Sequence, residues 1–217
     1  MDKRAINATG ITREAGMITR RVILIGSVAV ANGLFAARTA MAQSAGWTTL
    51  FDGKNLDGWS KTGDPNITLT DGVVQADKGN GHLVWKDQYG DFELRAEIWI
   101  NPDANSGIFV RFPNKEKPSS KEGYEFNIFD ARPDPSYGTG AIVDTAKAEK
   151  IIKAGGKWTL MEITCKGSEF SFKLDGQTTV DKASNTANGH VASARGYISL
   201  QFGGGLVRFR KVEISAL

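Results

Sequence analysis

The chain has 217 residues, about a quarter of them charged, with 27 Lys and Arg against 24 Asp and Glu. Six of the basic and two of the acidic side chains fall in the first 42 residues, so the rest holds 21 basic and 22 acidic groups. That balance leaves no global field for nucleic acid. A single cysteine, Cys165, excludes an intrachain disulfide and a cysteine-held metal cluster, and its place in Met161-Glu162-Ile163-Thr164-Cys165 reads as a small core residue.

The first element in the chain is a leader. Thr19-Arg20-Arg21 precedes an apolar run from Val22 to Ala37, and Ala40-Met41-Ala42 puts small residues where a signal peptidase reads them. This order predicts a signal peptide over residues 1–42, cut after Ala42, and a periplasmic or secreted domain over residues 43–217. The apolar run contains Asn32 and is short for a membrane span, so no membrane attachment is expected once it is cut. The paired arginines resemble a bacterial twin-arginine signal, with Ile23 where the usual phenylalanine stands. Met17 offers a second possible start.

From Trp47 onward the period is two. Phe92, Leu94, Ala96, Ile98 and Ile100 alternate with Glu93, Arg95, Glu97 and Trp99, which predicts a long strand with one apolar face. Ile108, Val110 and Phe112 continue the pattern, as do Tyr124, Phe126 and Ile128. Later runs span 160–165, 170–174, 177–180, 197–202 and 207–214, and shorter ones fit at 47–51, 67–69, 73–76 and 83–85. Asp71-Gly72 and Asp175-Gly176 mark hairpin turns. A dozen short strands predict an all-β sandwich of two stacked antiparallel sheets. One short helix is expected at 145–153, where Ala, Lys and Glu concentrate before Gly155-Gly156.

The polar residues of the central runs carry the candidate chemistry. Glu93 and Glu97 lie about 13 Å apart along one strand, too far for the carboxylate pair of a glycosidase, which needs about 5–9.5 Å. A pair has to form across strands, and Glu125 with Glu97 is one option. Trp99 or Phe109 would stack on a sugar ring, and Arg111 or Asn127 would bind its hydroxyls. Arg111 and Glu125 interrupt strongly hydrophobic runs, whereas Glu93 and Arg95 read as a solvated face. Asp130 ends its strand, as a turn cap or at the sheet rim. His82 and His190 lack ligand spacing: His82 reads as a strand residue and His190 as loop, and no zinc site is expected.

Trp47-x-x-Leu50-Phe51-Asp52-Gly53-Lys54-x-Leu56-x-Gly58-Trp59 resembles the opening signature of the 3-keto-disaccharide hydrolase domain family. Tyr89-Gly90-Asp91-Phe92-Glu93-Leu94, Asn105-Ser106-Gly107-Ile108-x-x-Arg111 and Gly123-Tyr124-Glu125-Phe126-x-Ile128-x-Asp130 are similar to its next blocks. Gly140-Ala141-Ile142, Gly156-Lys157-Trp158 and Gly196-x-Ile198-x-Leu200-Gln201 complete the order, so the resemblance runs from about residue 47 to the end. It implies a concanavalin A-like jelly roll, a carbohydrate partner and cleavage of sugars oxidised to a ketone at C3. It also implies Glu125 as base or acid, Arg111 as a substrate or enolate holder, and Asp130 among the recurring polar positions. No cofactor is expected, and the sequence assigns no ligands for a divalent cation. The last block departs from the pattern: Phe202 and Gly203 stand where many members carry Asp and His. That departure sets a purely lectin-like binding role beside the catalytic one.

Overall fold

A computed structural model describes residues 46–184 and 193–217. The leader expected over residues 1–42 and the loop reading of His190 lie outside the described residues. Among the described residues no helix is long and apolar enough to cross a membrane.

In chain order the strands are β1 (Thr48–Phe51), β2 (Trp59–Gly63), β3 (Ile67–Thr70), β4 (Val73–Ala76), β5 (Gly81–Trp85), β6 (Phe92–Ile100), β7 (Ser106–Phe112), β8 (Tyr124–Ile128), β9 (Trp158–Lys166), β10 (Glu169–Leu174), β11 (Gln177–Ser184), β12 (Tyr197–Phe202) and β13 (Val207–Ala216). The larger sheet runs β11-β10-β9-β6-β13-β4-β3, with β1 also on β13, and the smaller runs β2-β5-β12-β7-β8. All strand pairs are antiparallel. Two stacked antiparallel sheets are the architecture that the period-two pattern predicts. β2 went unrecognised because Trp59-Ser60-Lys61-Thr62-Gly63 carries one large apolar residue.

The alternation places the core. Phe92, Leu94, Ala96, Ile98 and Ile100 of β6 are buried, facing Ile108, Val110, Tyr124, Phe126 and Leu200 from the smaller sheet. Tyr124 and Phe126 meet Phe170 and Phe172 of β10 with ring centroids 4.3 and 5.3 Å apart, an aromatic seam between the layers. Asp175 and Gly176 both take left-handed φ, 49° and 74°, which a two-residue hairpin needs to match strand twist.

On its outer face the larger sheet carries three similar stacks. Arg95 lies over Trp47, Arg208 over Trp99 and Arg210 over Trp158, at 4.2, 4.6 and 4.1 Å from the ring centroids. Each arginine Nε donates to an acceptor: Glu213, Gln75 and Glu97 respectively. Glu97 and Trp99 are therefore tied into this ladder, on the sheet that Glu125 does not belong to. The expected Glu125–Glu97 pair and the expected sugar contact at Trp99 are both corrected, because β6 and β8 lie in different sheets. A depression of about 130 Å³ lined by Trp47, Glu93, Arg95, Glu162 and Lys173 opens on the same outer face.

The helix expected over 145–153 does not form. The backbone there finds other partners: Ile142 and Ala146 exchange both backbone bonds as an antiparallel bridge, Ala148 N–H donates to Ser136 O, and Glu149 N–H to Thr179 O. Helical propensity yields to edge pairing, since a buried backbone group must bond somewhere.

Candidate active site on the smaller sheet

Register draws two rows of side chains across the outer face of the smaller sheet. Glu125 stands opposite Phe109, then Ser199, Val84 and Ser60. One step along, Asn127 stands opposite Gly107, then Gln201, His82 and Thr62. The alternate residues Ile108, Phe126, Leu200 and Leu83 point into the core. β7 and β8 are nonetheless buried along both faces, the mark of strands with a second layer over them. The segment after β8 pairs along its free edge, with Val143 N–H donating to Glu125 O and Asn127 N–H to Ala141 O, and covers the outer face at Tyr137, whose carbonyl accepts from Asn127 Nδ2.

Glu125 is only 8 % exposed. Burial pushes its carboxyl up to about 7; the Arg132 charge pulls it down and the Asp144 charge adds to the rise. Gly107 lies beside it. A Cβ there would lie 2.8 Å from Phe126 O and 3.5 Å from Glu125 Cγ, so only glycine lets the two strands pack this closely beside the carboxylate. Asn127 is fully buried; its Nδ2 donates to Tyr137 O at 2.8 Å. The side-chain oxygens of Asn127 and Gln201, on either side of Gly107, have no protein partner. Such atoms call for a water or a hydroxyl donor.

His82 lies across the face from Glu125. Its Nδ1 is 3.1 Å from Ser199 Oγ, and its ring meets Phe109 edge-on at 4.8 Å. Burial lowers its pKa to about 4, so the imidazole is neutral over the physiological range. Phe109, 5 % exposed, forms a hydrophobic patch with Val84, Phe112 and Tyr197, apart from the main core. Of the site residues expected from sequence, the fold thus brings Glu125, Asn127 and Phe109 together. His82, Ser199, Gln201 and Arg132 are additions. The alternation of His82 with Val84 was a signal for the first, but only the β5–β12 pairing shows which face the two residues share.

Arg111 is corrected. Tyr197 pairs with Phe112 and Ile198 with Val110, so Arg111 is the extra residue of a β-bulge, with φ at 57°. The bulge turns its side chain toward the core, where the guanidinium lies 5.4 Å from the Phe170 ring centroid. Nε and Nη2 donate to Gly90 O, Nη1 to Gly167 O at 2.6 Å, and Nη2 also to Asp91 Oδ1 at 2.9 Å. At 1 % exposure it knots β7 to the turns before β6 and after β9, and does not share a face with Glu125. Asp130 is likewise a clamp. It accepts from Thr139 Oγ1, from Ala154 N–H, and from Gly155 N–H at 2.8 Å. Those bonds spend its carboxylate on the covering segment and leave a substrate contact without support.

The departure at Phe202-Gly203 also has a place. Phe202 is 1 % exposed and packs edge-on against Phe209 in the core. A Cβ on residue 203 would lie 2.8 Å from Asn105 Nδ2, so Gly203 gives its space on the outer face to the Asn105 side chain. Among the described residues no group of three or more His, Cys, Asp or Glu is gathered as a metal would need.

A two-sheet jelly roll of this topology has the concanavalin A-like fold. The chain is a member of the 3-keto-alpha-glucoside-1,2-lyase-like domain family, whose sequence profile matches residues 46–215. It is similar to a 3-keto-disaccharide hydrolase from Bacteroides thetaiotaomicron, with 31% identity over 77 residues, 30% of this chain and 27% of that protein. The chain thus spans about a quarter of the length of that relative. A crystal structure of a proposed glycosyl hydrolase from Parabacteroides distasonis matches with TM-score 0.66 and 26% identity, covering 79% of this chain and 99% of the other. The carbohydrate-binding module CBM66 from Bacillus subtilis shares the fold at TM-score 0.54 and 18% identity, covering 79% and 96%.

Proposed function

We propose that this protein is exported and cleaves 3-keto-disaccharides or 3-keto-glycosides, with Glu125 as the base that opens the reaction. The observation that carries this reading is the Glu125 carboxyl, which shares one sheet face with Phe109, Asn127 and His82 and is held at about 7 by burial. A base poised near the working pH is what proton abstraction next to a ketone demands. The C3 ketone acidifies the C2 proton. Glu125 takes that proton, and the C–H electron pair moves onto the C3 oxygen as an enolate. The enolate then reforms the C3 carbonyl, a C1–C2 double bond forms, and the C1–O bond to the leaving group breaks. The leaving oxygen takes back the proton now on Glu125, directly or through water. Addition of water across C1–C2 completes hydrolysis. This route needs one carboxylate, so the separation of Glu97 from Glu125 does not count against it.

The test is incubation of the purified protein with 3-keto-trehalose and a 3-keto-β-glucoside. Free 3-keto-glucose is expected, and the Glu125→Gln variant is expected to lose about 10²–10⁴-fold in rate, the usual worth of a positioned general base. Glycan binding with no turnover by the unaltered protein would contradict the reading in favour of a lectin-like role.

A further inference from the structure

The enolate in this reaction needs a hydrogen-bond donor where its charge develops. Arg111, the cation expected for that task, faces the core and is occupied by Gly90, Gly167 and Asp91. Arg132 acts on Glu125 itself, from the loop after β8. The donor has to reach the oxygen on C3, next to the C2 proton that Glu125 takes, so it must share the outer face with the base.

His82 and Glu125 are three strand spacings and two residues of register apart, about 16 Å between Cα atoms. Both side chains incline toward the middle: Glu125 Cγ reaches within 3.5 Å of where a Cβ on Gly107 would sit. The His82 ring reaches over β12 to meet Phe109 at 4.8 Å. Ser199 is fully buried, and its hydroxyl has His82 Nδ1 as its side-chain partner at 3.1 Å. A buried hydroxyl proton has to be donated, which makes Nδ1 the acceptor and leaves the ring proton on Nε2. The electrically neutral ring then presents one N–H donor and no charge, so its presence does not lower the basicity of Glu125.

We propose that His82 is a catalytic residue that donates Nε2–H to the C3 oxygen as the enolate forms, and that Ser199 is a positioning residue that holds the imidazole in the Nε2–H tautomer. The proposal rests on the keto-sugar reading of the same face. It deepens that reading by bringing base and donor to the adjacent C2 and C3 of one ring, so the substrate must enter with its C2–C3 edge lying across Phe109. It also gives Ser199, which carries no nucleophile's surroundings, a task.

The experiment is a comparison of kcat and KM on a 3-keto-β-glucoside for the unaltered protein and the His82→Phe, His82→Gln, Ser199→Ala and Glu125→Gln variants. Folding is checked by circular dichroism, and the tautomer is read from imidazole ¹⁵N shifts. His82→Phe keeps the ring contact with Phe109 but loses the donor, and is expected to lower kcat about 10²–10³-fold with little change in KM. His82→Gln retains an N–H and is expected to recover part of that loss. Ser199→Ala is expected to lower kcat about tenfold and to shift the tautomer population away from Nε2–H. If His82→Phe turns over at the unaltered rate while Glu125→Gln is inactive, this inference falls and the keto-sugar reading stands. A Nδ1–H tautomer in the unaltered protein overturns it as well. An unaltered protein that cleaves no 3-keto glycoside overturns both.

Discussion

Burial decides what each charged side chain can do here. Glu125 and Arg111 both interrupt hydrophobic runs, and both are almost fully covered, yet the carboxyl lies on the outer face of its sheet while the guanidinium is turned inward to three backbone or side-chain acceptors. Those bonds predict a structural effect for Arg111→Met. The carbonyls of Gly90 and Gly167 lose their charged donor, which costs about 3 kcal/mol by the usual worth of hydrogen bonds to charged groups. The ion pair itself adds little, because the Asp91 side chain is 40 % exposed. Urea denaturation measures the loss, and an unchanged midpoint would contradict the knot. Glu125 was legible in the sequence as a polar residue within a buried strand. The role of Arg111 was not, because a bulge shifts the face of every residue beyond it and leaves no mark in a period-two pattern.

Among the elements, the segment between β8 and β9 shapes the site most. It supplies the bonds along β8, and Asp130 is the rivet that fastens its far end at Ala154 and Gly155. Asp130→Ala is expected to destabilise the protein by about 2–3 kcal/mol through the stranded backbone donors. It is also expected to speed amide exchange at residues 154 and 155 ahead of the β6 and β9 amides. Uniform exchange across the protein would show that the segment is not separately fastened. The strands were legible because alternation reports one buried face, as in Phe92 to Ile100. Residues 145–153 were not, since their Ala, Lys and Glu content favours a helix, and only the nearby carbonyls of Ile142, Ser136 and Thr179 tip them to edge pairing. Sheet membership was equally hidden. Nothing in the alternation of β6 says that Glu97 faces away from Glu125, because that depends on which strands become neighbours.

At the scale of the molecule, the two shifted groups of the candidate site set opposing dependences of stability on pH. Glu125 has a folded pKa of about 7 against 4.5 in the absence of the fold. Between those values the folded state holds a proton that the unfolded state has lost, so stability falls as pH rises through that window. His82 has a folded pKa of about 4 against 6.5, so between those values the unfolded state holds the extra proton and stability falls as pH falls. From about pH 4.5 to 6.5 the two slopes, about 1.4 kcal/mol per pH unit each, cancel. Removing one group should expose the other. Glu125→Gln is expected to lose stability relative to the unaltered protein as pH falls from 6.5 to 4.5, and His82→Phe to lose it as pH rises from 4.5 to 7. Three parallel profiles in urea denaturation would contradict both shifts.

The central claim is that Glu125, on the roofed face of the smaller sheet, is the base for cleaving a keto sugar. Its most direct test is kcat/KM for a 3-keto-disaccharide from pH 5 to 9, measured on the unaltered protein and on Glu125→Gln. The rate is expected to rise with pH, to turn over near 7 where the carboxyl becomes ionised, and to be lower by at least about 10² in the variant. A rate indifferent to pH across 7, or a Glu125→Gln variant as active as the unaltered protein, would contradict it.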